Sequence, residues 1–200
     1  MQEQMSIPQK TRVAVFASGR GSNFEALIKH QAQHYEIVLL VSDKPNAGAI
    51  SLAHQNHIPA LLINIPSQKN LAEKTQAEAD LVAQLKALHI EFIALAGYMR
   101  LVGDPLLNAF EQRIINIHPS LLPAHPGLNA IEKSFESQAG AGVTIHYVDS
   151  GMDTGSIIEQ QAVATDEHSL ETFAQTIHAV EHSLYPRVLD NVLKKQSKVG

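Results

Sequence analysis

Residues 12–23 read Arg12-Val13-Ala14-Val15-Phe16-Ala17 and then Ser18-Gly19-Arg20-Gly21-Ser22-Asn23. The first six are a β-rich apolar run, and the next six make a Ser-Gly-x-Gly turn. A helical pattern opens at Asn23 and continues to His30, with Phe24, Leu27 and Ile28 on one face. At a strand–turn–helix junction the backbone N–H groups and the positive helix end converge on an anion. Two glycines allow tight turning and close approach, while Ser22 and Asn23 add side-chain donors and can cap the helix. The dinucleotide motif Gly-x-Gly-x-x-Gly fails, because Phe24 stands at its third glycine. The P-loop fails too, because no Gly-Lys-Ser/Thr follows. Taken alone, the loop fits a phosphate site and an unliganded capped turn equally.

The same alternation repeats downstream. Residues 36–41, 58–63 and 91–96 read as apolar strands, and residues 47–55 and 71–88 read as helices. Strands apolar on both faces, each followed by a helix, predict a parallel sheet covered on both sides with right-handed crossovers. Residues 11–96 therefore read as a nucleotide-binding half, and 97–200 as a second half of the same single domain (1–200). Residues 1–10 are a loose lead-in. In the second half, 104–110 reads as a short helix, 113–117 as a strand, and 118–127 as a Pro-rich loop. Residues 129–138 are helical, 142–148 and 156–163 are partner strands, and 169–193 is a long helix with a potential kink at Pro186. The expected class is α/β: a mostly parallel, Rossmann-like twisted sheet with helices on both faces, an antiparallel C-terminal strand and a long C-terminal helix.

Composition narrows the chemistry. Lys and Arg number 15 against 20 Asp and Glu, a net charge of -5, so the basic stripe of a nucleic-acid or membrane-surface protein is not expected. There are no cysteines, which removes disulfides, thiolate metal sites and cysteine nucleophiles and fits a reducing, cytoplasmic setting. The absence of Trp leaves little for stacking single-stranded nucleic acid. No apolar run is long enough for a membrane helix or signal-peptide core. Eleven histidines raise the question of a metal. His178 and His182 stand i, i+4 on a helix, but the His-Glu-x-x-His context is missing, so no metal is expected. His30, His34, His54, His57, His89 and His168 read as surface or helix-end residues, and His146 as either cavity-facing or packed.

The chemistry-bearing segment is Asn116-Ile117-His118-Pro119-Ser120-Leu121-Leu122-Pro123. Alternation puts Asn116 and His118 on one face at the carboxyl end of a strand, where open α/β sheets hold ligands. Pro119 stiffens the turn. A carboxylate to orient the imidazole is available in Asp149 or Asp153. Such a set has no strong nucleophile. It suits polarising a carbonyl, stabilising an oxyanion and moving a proton. A lone His118 would read as an inert core histidine; the block as a unit does not. Arg100 reads as a crevice residue or a surface charge, and Met99 as crevice or core.

Four blocks together resemble the folate-dependent formyltransferases, in the order found in that family. They are Ala17-Ser18-Gly19-Arg20-Gly21-Ser22-Asn23, Leu95-Ala96-Gly97-Tyr98-Met99-Arg100, Ile115-Asn116-Ile117-His118-Pro119-Ser120-Leu121-Leu122-Pro123, and His146-Tyr147-Val148-x-x-x-Met152-Asp153-x-Gly155. The resemblance spans residues 11–190 and points to the glycinamide-ribonucleotide branch. It implies a formyltransferase-type fold and formyl transfer from 10-formyltetrahydrofolate to the amine of 5-phosphoribosylglycinamide, in a monomer or homodimer. On that resemblance Asn116, His118 and Asp153 would be catalytic. Gly21, Ser22 and Asn23 would hold the phosphate, and His178 and Glu181 would contact the nucleotide. Lys74, Met99, Arg100, Leu101, Val102 and Asn116 would contact folate, and Asp149, Ser150, Gly151, Met152 and Asp153 would enclose the pterin. The sequence departs from the family at Ala124 and His125, where a basic and an aromatic residue are usual, and at Asn129.

Other readings predict other behaviour. A formylfolate hydrolase would carry an N-terminal regulatory domain, for which a first strand near residue 12 leaves no room. A methionyl-tRNA formylase would need a further C-terminal domain and positive charge. A non-enzymatic nucleotide-binding protein would satisfy the glycine loop without turnover.

Overall fold

The computed structural model describes residues 9–66, 69–166 and 169–196. The lead-in residues 1–8 and His168 lie outside them. The elements run β1 (Thr11–Phe16), α1 (Ser22–Lys29), β2 (Tyr35–Ser42), α2 (Gly48–Gln55), β3 (Ala60–Leu62), α3 (Leu71–Ala87), β4 (Phe92–Leu95), α4 (Asp104–Ala109), β5 (Ile114–His118), α5 (Ala130–Ser137), β6 (Gly142–Tyr147), β7 (Ile157–Ala162) and α6 (Leu170–Gln196).

The strands form one seven-stranded sheet in the order β3-β2-β1-β4-β5-β6-β7. β1 to β5 are parallel; β6 is antiparallel to β5, and β7 antiparallel to β6. β6 therefore runs against the other strands, as expected of one strand near the C-terminus, and β7 beyond it runs in the same direction as β5. The chain steps outward from β1 in one direction and returns to build β4 on its other side. That reversal opens a crevice between the carboxyl ends of β1 and β4, because the loops leaving them diverge to opposite faces.

Strand alternation divides the core. Val13, Val15, Phe92, Ala94, Ile115, Ile117, Val143 and Ile145 face Phe24 and Leu27 of α1 and Phe173, Ile177, Leu184 and Leu189 of α6. Ala14, Phe16, Ile93, Leu95 and Ile114 face Leu81 and Leu85 of α3 and Leu106 of α4. Both faces are apolar because both are covered, as a mostly parallel sheet requires. The α6 helix passes through Pro186 without ending, and Pro186 is buried. Immediately before it, the fully buried Tyr185 donates its hydroxyl to the Leu95 carbonyl at 2.8 Å, tying α6 to the end of β4.

Several boundaries differ from the expected ones for local reasons. The strand read at 58–63 shrinks to Ala60–Leu62, an edge strand paired only at Leu40, Val41 and Ser42. His118 belongs to β5 and not to the loop, since it pairs with Thr144 of β6. Helix α1 begins at Ser22, and its N-cap is Gly21 in the left-handed region at φ 88°, with no side-chain cap. Neither Ser22 nor Asn23 caps, as the sequence had suggested, because both already lie within the first turn.

Candidate active site

A cavity of about 490 Å³ sits at the carboxyl ends of β1, β4 and β5. Gly21, Ser22 and Asn23 line one end, and Met99, Arg100, Leu101 and Val102 line the other. Asn116, His118 and Asp153 lie on its wall, as do Asp149, Gly151, Met152, His178 and Glu181. Two candidate residues do not line it. Lys74 is buried below the floor, its Nζ donating to the Leu101 carbonyl at 3.1 Å and 3.5 Å from Glu78. Ser150 sits within the 149–153 loop but outside the wall.

At the first end, glycine at position 21 is a backbone requirement. Its left-handed φ is strained for other residues, and a Cβ there would stand 2.9 Å from Ala49 Cα. Because no side chain caps α1, its first-turn N–H groups keep no partner inside the helix, which is the arrangement of an anion site. Asn23 is buried beside them, and its Oδ1 has no partner. From α6, His178 Nδ1 donates to Glu181 Oε2 at 2.7 Å. That bond raises the His178 pKa above its ordinary value, against burial and the nearby Arg20 charge.

The centre is built from two strands and a loop. Asn116 and His118 alternate onto the same face of β5, and the β5–β6 register sets His146 opposite Asn116. Asp153, at φ 55°, reaches back from the loop after β6. Its Oδ2 accepts from the Gly127 amide at 2.8 Å and lies 3.3 Å from His118 Nδ1. Its Oδ1 lies 3.4 Å from Asn116 Nδ2 and 3.5 Å from His146 Nε2. Burial pushes the Asp153 carboxyl up, but the hydrogen bonds from His146 and Gly127 and the charges of both imidazoles outweigh it and leave it at about 2. Asp153 is therefore an anion at neutral pH. His118 Nε2 donates to the His125 carbonyl at 2.9 Å, so Nδ1 is the nitrogen it turns to the carboxylate. His146 Nδ1 donates to the Tyr147 carbonyl at 2.8 Å, which turns Nε2 toward Asn116 and Asp153. The set can donate hydrogen bonds to a developing oxyanion and offer a carboxylate to a released proton.

Sequence reading left His146 undecided, although a signal was present: a polar residue on the polar side of an alternating strand that pairs with β5. It missed Asp43, at the end of β2. Its carboxylate accepts from Ser18 Oγ at 2.6 Å and pairs with Arg100 Nε at 2.7 Å. The contact joins residues 57 apart in sequence, and no local pattern announces it. Among the described residues no three His, Asp or Glu side chains gather into a metal-ligating group, and no helix is long and apolar enough to cross a membrane.

The sequence model of the formyl transferase family matches residues 11–189. The chain belongs to the formyl transferase family. Within it, the chain is 50% identical over 187 residues to a phosphoribosylglycinamide formyltransferase of Bacillus subtilis, covering 91% of this chain and 94% of that one. It is 41% identical over 197 residues to the trifunctional purine biosynthetic protein adenosine-3 of Drosophila melanogaster, covering 94% of this chain but only 14% of that much longer one. The crystal structure of phosphoribosylglycinamide formyltransferase from Bacillus halodurans superposes with a TM-score of 0.84 at 48% identity, covering 93% of this chain and 97% of the other. The sheet with its long C-terminal helix is thus the formyl transferase fold.

Proposed function

We propose that this formyl transferase moves the formyl group of 10-formyltetrahydrofolate to the amine of 5-phosphoribosylglycinamide, a step of purine biosynthesis. The observation that carries the reading is one cavity with an uncapped helix N-terminus at one end, apolar side chains at the other, and Asn116, His118 and Asp153 between them. The relatives named for this activity, one of them 50% identical, support the choice of acceptor.

The amine-bearing substrate is anchored by its phosphate on the first-turn amides of α1, with Gly21, Ser22 and Asn23 around it, and it meets His178 and Glu181 beyond. The donor's flat heterocycle suits the end lined by Met99, Leu101, Val102 and Met152, with Asp149 and Gly151 closing over it. Arg100 lies along that end with a cation for the donor's acidic groups. When bound, the donor supplies an activated formyl carbon, and a carbon–nitrogen bond to the acceptor forms as the bond to the donor nitrogen breaks.

This chain's residues stabilise the charge and handle the proton. Asn116 Nδ2 has only long contacts at 3.3 and 3.4 Å, so its N–H groups are available to a formyl oxygen. His118 reaches the same oxygen only by giving up one of its two internal contacts, and the 3.3 Å contact to Asp153 is the weaker. Asp153 then accepts the proton lost by the attacking amine, directly or through water, and the same proton passes on to the donor nitrogen as its bond to the formyl carbon breaks. His146 and the Gly127 amide hold the carboxylate in place for this.

The test is a spectroscopic assay of folate product with and without the glycinamide ribonucleotide. Acceptor-dependent turnover is the expected result. Formate release at the same rate without acceptor would make the chain a hydrolase, and ligand binding without turnover a nucleotide-binding protein.

A further inference from the structure

Arg100 lines the donor end of the cavity, but what aims it lies outside. Asp43, at the end of β2, has a side chain 2% exposed, and its Oδ2 takes Arg100 Nε at 2.7 Å. Its Oδ1 accepts from Ser18 Oγ at 2.6 Å, and the same Ser18 oxygen accepts from the Met99 amide at 3.0 Å. The Ser18 amide in turn donates to the Gly97 carbonyl at 3.1 Å. One carboxylate on a third loop thus holds both the side chain of Arg100 and the backbone on which Met99 and Arg100 sit. Because Asp43 engages Nε, the two terminal nitrogens of the guanidinium stay available to an acceptor in the cavity. A planar guanidinium fixed through Nε holds the plane of those nitrogens in one orientation, which a freely rotating side chain does not.

We propose that Asp43 is a positioning residue for the donor half of the site: it fixes the aim of Arg100 and, through Ser18, the Met99 amide, and so sets affinity for the formyl donor and not for the phosphate-bearing acceptor. The inference rests on residues 99–102 being the donor end, as proposed above. Asp43→Asn is the informative change. An asparagine oxygen still accepts from Ser18, but its NH₂ opposes Arg100 Nε, donor against donor, so Arg100 is released while the phosphate loop keeps its anchor.

Both KM values, kcat and the melting temperature are measured for the wild type, Asp43→Asn, Arg100→Ala and the double variant, with calorimetric binding of tetrahydrofolate alongside. Asp43→Asn should raise the donor KM about tenfold and leave the acceptor KM and kcat within about twofold. In the Arg100→Ala background the same change should add less than about twofold, since its effect runs through that side chain. Equal rises in both KM values, or donor effects that multiply in the double variant, would overturn the proposal. If Asp43→Asn does not fold, Ser18→Ala decides, with a donor-only rise of about threefold expected and an unchanged donor KM refuting. A wild type that binds tetrahydrofolate without formylating the ribonucleotide would sink the acceptor assignment, and the binding ratio of wild type to Asp43→Asn would still judge the role of Asp43.

Discussion

Asp153→Asn is the sharpest test of the chemistry, because it keeps shape and removes charge. The wild-type carboxylate accepts from the Gly127 amide at 2.8 Å and faces His118, Asn116 and His146 at 3.3, 3.4 and 3.5 Å. An asparagine oxygen can keep the Gly127 bond, the shortest of the four, so the loop should stay docked. What it cannot do is take a proton, and its NH₂ confronts the very donors the carboxylate held. Loss of an acid–base group costs roughly 10²–10⁴ in rate, and the donors of Asn116 and His118 remain to supply the rest of the acceleration. The expected kcat is therefore lower by about 10³, within that range. Asp153 touches neither the helix N-terminus nor His178, so the acceptor KM should stay within about threefold. The variant also loses stability, on the order of 1–2 kcal/mol after allowing for solvent screening, given a carboxyl held at about 2 against an ordinary 3.8. The assay is folate product formation at saturating donor and acceptor, run well below the variant's melting temperature. A kcat within about fivefold of wild type, with the fold intact, would refute the proton-transfer role, because it falls far outside the expected range.

Three further outcomes follow from the same geometry. The Asp153 carboxyl has a folded pKa below its unfolded one, so its stabilisation is complete above about 3.8 and is lost as pH falls towards about 2; acid unfolding of Asp153→Asn should lack that component, and identical acid profiles would contradict it. Gly21→Ala forces a Cβ 2.9 Å from Ala49 Cα at φ 88°, and should raise the acceptor KM about tenfold or more while changing the donor KM little; equal effects on both would count against the phosphate role of this loop. Glu181→Gln removes the charge and weakens the bond that raises His178, so the imidazole titration followed by NMR should fall back towards 6.5; an unmoved titration would show that Glu181 is not its cause.

The parallel half of the fold was legible because its signals are local. Runs such as Phe92 to Leu95 are apolar on both faces, and a run buried on both faces in an alternating strand–helix order leaves few architectures open. Ends were less legible. Residues 58–59 and 63 read as strand from apolarity alone, yet the register with β2 covers only Ala60 to Leu62, and Pro59 and Ile63 add one backbone bond each at its ends. β7 was visible as a segment but not as a direction, since its return to the sense of β5 depends on contacts with β6 that no periodicity carries. In the site, Asn116 and His118 could be placed together by alternation within five residues. Their juxtaposition with Asp153 depends on a left-handed backbone at that residue and on the Gly127 amide, both products of tertiary packing. Asp43 was invisible for the same reason, and Lys74, placed at the folate by the family resemblance alone, has its Nζ held by the Leu101 carbonyl instead.

The glycine turn after β1 and the Asn116–His146 rung of β5 and β6 line one cavity but are carried by separate parts of the chain. On the proposed reading the acceptor's contacts are consequently modular: residues 21–23 and one stretch of α6 can be rebuilt while Ser18, which ties the donor loop, and the sheet stay untouched. A scaffold wired in that way is suited to retargeting, because new amines can be recruited by regrafting a short turn and a single helical face.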